Sequence, residues 1–128
     1  VPAVASIAKL RKKVVLHVGD ALVACYDGGP ATDNPRFRAF VRASLFFATD
    51  PVALDRVGWE ILDARRIEAG LPVLASTGIG LTNPGGAEGY TERHPQHVLT
   101  AGAAGLGVSD LALVQHKKVV LGAGPCPT

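Results

Sequence analysis

The sequence predicts an α/β fold, in the form of a partial layered sandwich whose sheet is mostly parallel or mixed and is flanked by helices. Strand-like and helix-like segments alternate along the 128 residues, which is typical of α/β proteins. The β-branched and apolar run at 14–18 has the pattern of a strand buried on both faces, as in parallel sheets. The length is that of one domain, so we expect residues 1–128 to form a single α/β domain.

The composition excludes several classes of protein. With 48% hydrophobic and 19% charged residues, the chain is not intrinsically disordered. The net charge of +2 is spread evenly along the chain, which predicts no nucleic-acid partner. The longest uncharged stretch, at 69–87, is interrupted by prolines and glycines, so the sequence predicts no transmembrane segment.

The first part of the chain is expected to alternate between helix and strand, with turns at the glycines and prolines. The elements expected there, in chain order, are a helix over 2–12, a strand over 14–18 that ends at Gly19-Asp20, a second apolar stretch over 21–26, a turn at 27–30, a loop over 30–36, a helix over 37–43 and a strand over 44–48.

The best-defined element is a long amphipathic helix over 51–69. Asp50 is a favourable N-cap residue, and Pro51 suits the first helical position because its missing N–H is not needed there. Gly70 follows the last apolar position and is a natural residue for the left-handed end of the helix.

The remainder of the chain predicts a Gly-rich loop and shorter elements. The elements expected there are a loop over 71–93, a helix over 96–104 that ends at Gly105, two short strands over 111–115 and 118–121, and a flexible tail over 122–128.

Three acidic residues are the candidate catalytic groups: Asp20, Asp50 and Asp55. Asp20 and Asp50 each follow a predicted strand, and ligands of open α/β sheets bind at the carboxyl ends of strands. If the three carboxylates converge, they form an acidic pocket that suits a hard divalent cation or a proton transfer. The alternatives are local: Asp20 caps the following backbone, Asp50 caps the long helix, and Asp55 is a solvated helix residue.

The histidines and cysteines give weaker candidates. His94 and His97 are three residues apart at a helix entrance and are candidate metal ligands, together with Asp20 and Asp50, but no third ligand is indicated by spacing. Cys25 and Cys126 are expected to be two unpaired thiols with Cys25 in the core, and a disulfide between them is the alternative in an oxidising compartment. No cysteine run is present that would hold an iron–sulfur cluster.

An ordered set of motifs resembles the C-terminal part of the domain of unknown function 362 family, over residues 14–121. The motifs are the segments 15–21 and 28–30, the string T-D-P-V-A-L-D at 49–55, and His97 followed by G-L-G at 105–107. The segments 26–30 and 93–97 resemble bacterial members that have a twin-arginine export signal.

The resemblance implies that these 128 residues are the C-terminal portion of a longer chain. It also implies that the acidic positions of the family correspond to Asp20, Asp50 and Asp55. The expected location is periplasmic or exported if the chain follows the twin-arginine members, and cytoplasmic otherwise. Some relatives have ferredoxin-type clusters, but that redox role needs cysteines that this chain does not have.

The function expected from the sequence is that of a structural, accessory or interaction module. A sheet without its other strands presents an unpaired edge and an apolar face, so we expect a protein partner: the rest of its own chain, a second copy or a larger assembly. The alternative is part of an enzyme or redox-linked protein in which the Asp pocket binds a cation or a small polar ligand. No cofactor is predicted, and a divalent cation belongs only to the acidic-pocket alternative.

Overall fold

A two-stranded hairpin and one long helix form the frame of the protein. The structure is a computed structural model that describes residues 2–28, 35, 37–74 and 95–122. Its elements, in chain order, are α1 (Pro2–Ala5), α2 (Ala8–Arg11), β1 (His17–Asp27), β2 (Arg38–Ala48), α3 (Pro51–Glu68), α4 (Gln96–Ala103) and a 3₁₀ turn at Leu111–Leu113.

The expected parallel or mixed sheet of a layered sandwich is wrong. The sheet within the described ranges has two strands, and β1 pairs with β2 antiparallel, from His17 opposite Ala48 to Asp27 opposite Arg38. The protein is therefore a small mixed α/β structure. The apolar run at 14–18 misled the prediction because Val15 and Val18 are 81% and 61% exposed, not buried on two faces.

β1 continues through the predicted stop at Gly19-Asp20. A side chain at Gly19 would contact the Leu54 and Phe46 side chains at 3.3 and 3.4 Å, so glycine lets α3 approach the strand closely here. Asp20 lies on the opposite face of the strand and pairs with Leu45. A Gly-Asp pair usually ends a strand. Here β1 continues through it, because the glycine lets α3 pack closely against the strand.

β2 replaces the predicted helix over 37–43 and extends the predicted strand over 44–48. Its burial alternates along the strand, with Phe40, Arg42, Ser44 and Phe46 more covered than their neighbours. This period of two is that of a β-strand. The prediction missed it because both faces of the strand carry apolar residues, which hides the alternation.

The pairing of the two strands is interrupted by a bulge at Ala43. The register changes between Ala21, which pairs with Ser44, and Val23, which pairs with Val41, so that two residues of β2 oppose Leu22 alone. Ala43 has a φ of 50°, and it is the non-glycine residue in the described chain with a positive φ. A bulge with a left-handed residue locally bends and twists the hairpin.

Helix α3 is confirmed with its start at Pro51 and its cap at Asp50. It ends in a Schellman motif: the Gly70 N–H donates to the Ile67 carbonyl and the Leu71 N–H donates to the Arg66 carbonyl. Gly70 has a φ of 71°, as expected of the residue after the helix.

Helix α4 ends in the same way. The Gly105 N–H donates to the Gly102 carbonyl, the Leu106 N–H donates to the Ala101 carbonyl, and Gly105 has a φ of 66°. Leu106 then packs on a small core of Val52, Val98 and Ala101, where Trp59 also packs.

The predictions for the two ends of the chain are wrong in part. The helix expected over 2–12 is two four-residue helices, because Ile7 between them is extended. The strand expected over 111–115 is a 3₁₀ turn capped by Asp110, and the segment 118–121 has no regular structure. Most of the loop expected at 71–93 and all but one residue of the tail expected at 122–128 lie outside the described residues.

Candidate functional site

The face of the hairpin that points away from α3 is apolar and uncovered. We call it the open face and define it by the residues of β1 and β2 whose side chains lie on that side. They are Val18, Asp20, Leu22 and Val23 on β1, and Ala39, Val41, Ala43, Leu45 and Phe47 on β2. Asp20, at the edge of this face, also borders a cleft that α3 lines. The pairs Val18 with Phe47 and Val23 with Val41 lie directly opposite each other across the strands.

The open face exposes large side chains that usually lie in a core. Its six large hydrophobic residues have exposed fractions from 52% at Leu22 to 76% at Val41, and Phe47 is 64% exposed. Together they reach the scale of the largest apolar patch on a typical monomer, roughly 300–600 Å². The largest apolar patch of a monomer is often a functional surface.

The cause of this exposure is that one helix covers one side of the hairpin. On the covered side, Leu54 of α3 packs toward Gly19 and Phe46, while the Arg65 guanidinium lies over the rings of Tyr26 and Phe40. Phe47 borders a cleft that residues of α3 and of the segment 113–117 also line. Within the described residues, the hairpin is therefore packed mainly against α3.

Asp20 is the charged residue of the open face. Its Oδ1 accepts a hydrogen bond at 2.8 Å from the Leu22 N–H, at the position where the bulge interrupts the ladder. This is the local backbone cap that the sequence allowed as the alternative to a ligand site. The second carboxylate oxygen of Asp20 has no hydrogen bond to the described residues.

Asp50 holds two parts of the chain together. Its Oδ1 accepts from the Val52 and Ala53 N–H groups at 2.8 and 3.0 Å, which caps α3. Its Oδ2 accepts from the Val108 N–H at 2.7 Å, which ties the segment after α4 to the start of α3. Both oxygens of this half-buried carboxylate are therefore satisfied by backbone donors.

Gly107 is required for this contact. A Cβ atom at Gly107 would overlap Oδ1 of Asp50 and would lie 2.8 Å from Cβ of Val52. The packing explains why residue 107, the second glycine of the G-L-G segment, is a glycine. The chain passes too close to the start of α3 to leave room for a side chain.

Asp55 lies beside His97, and the two form an ion pair only when the imidazole is protonated. Its Oδ2 lies 3.4 Å from Nε2 of His97, across the contact of α3 with α4, and both side chains are about half exposed. An exposed pair of this kind contributes little to stability. His94, the other histidine of the predicted metal pair, lies outside the described residues.

The three aspartates have three different surroundings. Asp20 and Asp55 border one cleft of about 640 Å³ between the hairpin, α3 and α4, whereas Asp50 borders two other clefts. Within the ranges that the structure describes, no group of three or more His, Cys, Asp or Glu residues could hold a metal ion. An acidic pocket built from all three therefore has no support in the geometry.

Two arginines matter more than the sequence suggested. Arg66 is 5% exposed; its Nε donates to the Pro72 carbonyl at 2.7 Å and its Nη1 donates to the Tyr26 carbonyl at 2.6 Å. Nη1 also lies 3.5 Å from Oδ1 of Asp27. Arg42 borders the 640 Å³ cleft, and its buried Nε has no acceptor. The burial of Arg66 and of the Arg42 Nε could not be predicted from the neighbouring residues in the sequence.

Cys25 is a free thiol in the structure. It is half-buried, and its Sγ donates to the Asp27 carbonyl at 3.1 Å. Cys126, its alternative disulfide partner, lies outside the described residues.

Comparison with known proteins finds no match: no protein-family model, curated protein or solved structure matches this chain. The resemblance to the domain of unknown function 362 family, and the location it implies, therefore stay predictions. Among the helices that the structure describes, none has the length and apolar character needed to cross a bilayer.

Proposed function

We propose that this chain is a structural or accessory module that docks onto a protein through the open face of its hairpin. The observation that carries the proposal is the set of six large hydrophobic side chains, each more than half exposed, on one face of a two-stranded sheet. Exposed apolar area of this kind has a free-energy cost in water of about 25 cal/mol per Å², which a covering protein removes.

The small size of the buried core within the described residues also supports the proposal. Its buried hydrophobic residues are Ala21, Val52, Val57, Val98 and Ala101, a small set in which no leucine or aromatic ring is fully buried. Among the described residues, eighteen large hydrophobic side chains are exposed, and six of them, including Leu45 and Phe47, are on the open face. Exposed apolar area of this extent supports a surface that contacts another protein.

The alternative, an enzyme or redox-linked role for an acidic pocket, has less support. Asp50 uses both oxygens on backbone N–H groups, and Asp20 uses one oxygen on Leu22. The pair of Asp55 and His97 is exposed and has no third group that would complete a metal site among the described residues.

The proposal is tested with charged substitutions on the open face. Wild-type protein is expected either to self-associate or to bind the apolar dye anilinonaphthalene sulfonate as a folded monomer. If the wild type self-associates, Phe47→Lys is expected to abolish self-association. If the wild type is a folded monomer, Phe47→Lys is expected to abolish dye binding. Val120→Lys is the matched control, because Val120 is 78% exposed but lies outside the hairpin.

Folding of each variant is checked by circular dichroism and urea unfolding. A folded wild-type monomer that does not bind the dye would contradict the proposal, and so would an effect of Val120→Lys equal to that of Phe47→Lys.

A further inference from the structure

We propose that one end of this molecule binds the surface of an anionic lipid bilayer. The contact uses two copies of the pentapeptide K-K-V-V-L, at 12–16 and 117–121, together with Lys9 and Arg11. We call these residues the basic surface. The inference goes beyond the docking function proposed above, because it concerns residues outside the hairpin.

The fold brings the two pentapeptides to the same end of the molecule, although they are more than a hundred positions apart in the sequence. Leu16 of the first copy and Lys117 of the second line one cleft, beside Thr49 and Asp50. Arg11 lines a second cleft that Thr49 and Asp50 also border. The basic surface therefore lies around the connection between β2 and α3.

The basic surface has six exposed cationic side chains and no acidic one. They are Lys9, Arg11, Lys12, Lys13, Lys117 and Lys118. None of the six forms an ion pair with a described residue; the ion pairs of the described chain are formed by Arg56, Arg65, Arg66 and His97 instead. Each unpaired cation close to an anionic bilayer raises the affinity about fivefold.

Each pentapeptide also exposes three aliphatic side chains beside its lysines. Those of the first copy, at 14–16, are 48–81% exposed, and those of the second copy, at 119–121, are 69–87% exposed. At a bilayer surface, such side chains insert at the boundary between headgroups and acyl chains, while the lysine amines stay among the phosphates. A lipid surface thus uses both the charge and the apolar residues of each copy.

A nucleic acid, the other polyanion, fits the basic surface less well. Proteins that bind single strands stack the bases on aromatic side chains, and the segments 9–16 and 117–121 contain no aromatic residue. The six exposed aliphatic side chains would face a phosphate backbone, with which they make no favourable contact.

The test is cosedimentation of the full chain with lipid vesicles. Vesicles of phosphatidylcholine alone are compared with vesicles that contain phosphatidylcholine and phosphatidylserine in equal parts. Wild type is expected to bind the mixed vesicles more than about tenfold tighter, and added salt is expected to weaken this binding. Equal binding to both compositions, or binding to neither, would overturn the proposal.

Two matched double variants test the two copies of the pentapeptide separately. Lys12→Gln with Lys13→Gln, and Lys117→Gln with Lys118→Gln, are each expected to weaken binding to the mixed vesicles by roughly 20- to 30-fold. Folding of each variant is checked by circular dichroism. A double variant that binds as tightly as wild type would show that its copy is not part of the contact, and would overturn the two-copy surface.

The control removes the same charge from the other end of the molecule. At about 3.3 Å per residue, β2 places Arg38 roughly 30 Å from Ala48, and Arg65 lies over the ring of Phe40 toward that far end. Arg38→Gln with Arg65→Gln is therefore expected to change vesicle binding by less than about twofold. A loss equal to that of the lysine variants would overturn the proposal, because net charge and not the basic surface would then govern binding.

Uncharged substitutions and a second ligand separate the bilayer from its alternatives. Val15→Ser and Val120→Ser are each expected to weaken vesicle binding severalfold at unchanged charge. A single-stranded oligonucleotide that binds as tightly as the mixed vesicles, with no effect of either serine, would replace the bilayer by a nucleic acid. Phe47→Lys is expected to leave vesicle binding intact; its loss would show that the open face inserts instead, which would overturn the basic surface and leave the docking face in place.

Discussion

Removing the carboxylate of Asp50 tests whether this side chain ties the start of α3 to the segment that follows α4. Asp50 accepts three backbone hydrogen bonds, two from the start of α3 and one from Val108. Asp50→Ala removes all three. Loss of the helix cap costs about 1 kcal/mol, and leaving the part-buried Val108 N–H without an acceptor costs about 1–3 kcal/mol. We therefore expect a loss of about 2–4 kcal/mol in the free energy of unfolding.

Two further variants divide this loss into its parts. Asp50→Asn retains a good cap for α3, but the oxygen that accepts from Val108 is replaced by an amide nitrogen, so we expect a loss of about 1–2 kcal/mol. Asp110→Ala is the control, because Asp110 caps the 3₁₀ turn through one exposed hydrogen bond to Ala112. Its expected loss is about 0.5 kcal/mol.

The assay is urea unfolding followed by the fluorescence of Trp59, which packs on the core beside Val52. Equal losses for Asp50→Ala and Asp110→Ala would refute the reasoning, because Asp50 would then act only as an ordinary helix cap.

Three other substitutions test the fold by the same unfolding assay. Gly107→Ala is expected to cost about 1–3 kcal/mol, since the added Cβ overlaps Asp50; additivity with Asp50→Ala would contradict a shared contact. Arg66→Met is expected to cost about 3–5 kcal/mol, because it leaves the carboxylate of Asp27 and two carbonyls unpaired, and a loss below 1 kcal/mol would show that Arg66 is not a buried anchor. Ala43→Gly is expected to stabilise the protein by about 0.5–1 kcal/mol by relieving the positive φ, and destabilisation would refute the strained bulge.

The helices with clear ends could be predicted from sequence because their signals are local. Asp50 and Pro51 specify the start of α3, and Gly70 and Gly105 specify left-handed residues after α3 and α4. Each of these signals acts within one turn of the helix, so no knowledge of distant residues is needed.

The sheet could not be predicted in the same way. Whether residues 17–27 pair with 38–48 depends on contacts between residues that are 11 to 31 positions apart in the sequence, and both strands have apolar residues on both faces. Alternation of apolar and polar residues identifies a strand only when one face is polar. The open face is apolar, so this alternation is absent from both strands. The exposed apolar residues that make the hairpin a candidate interface therefore also prevent its strands from being predicted from the sequence.

The candidate site could be predicted only in general terms. The sequence predicted an uncovered apolar face, but the residues singled out were Asp20, Asp50 and Asp55. The burial of Arg66 depends on the carbonyls of Tyr26 and Pro72, one of them forty positions away in the sequence, and no local pattern reports such a contact.

Hydroxyl-radical footprinting tests most directly whether another protein covers the open face. Phe46 and Phe47 are adjacent and chemically identical, but Phe46 faces α3 and Phe47 is 64% exposed on the open face. In the assembled protein we expect Phe47 to be oxidised as slowly as Phe46, while Leu121, 87% exposed, reacts freely. Oxidation of Phe47 at the rate of a fully exposed phenylalanine in every assembly state would contradict the account.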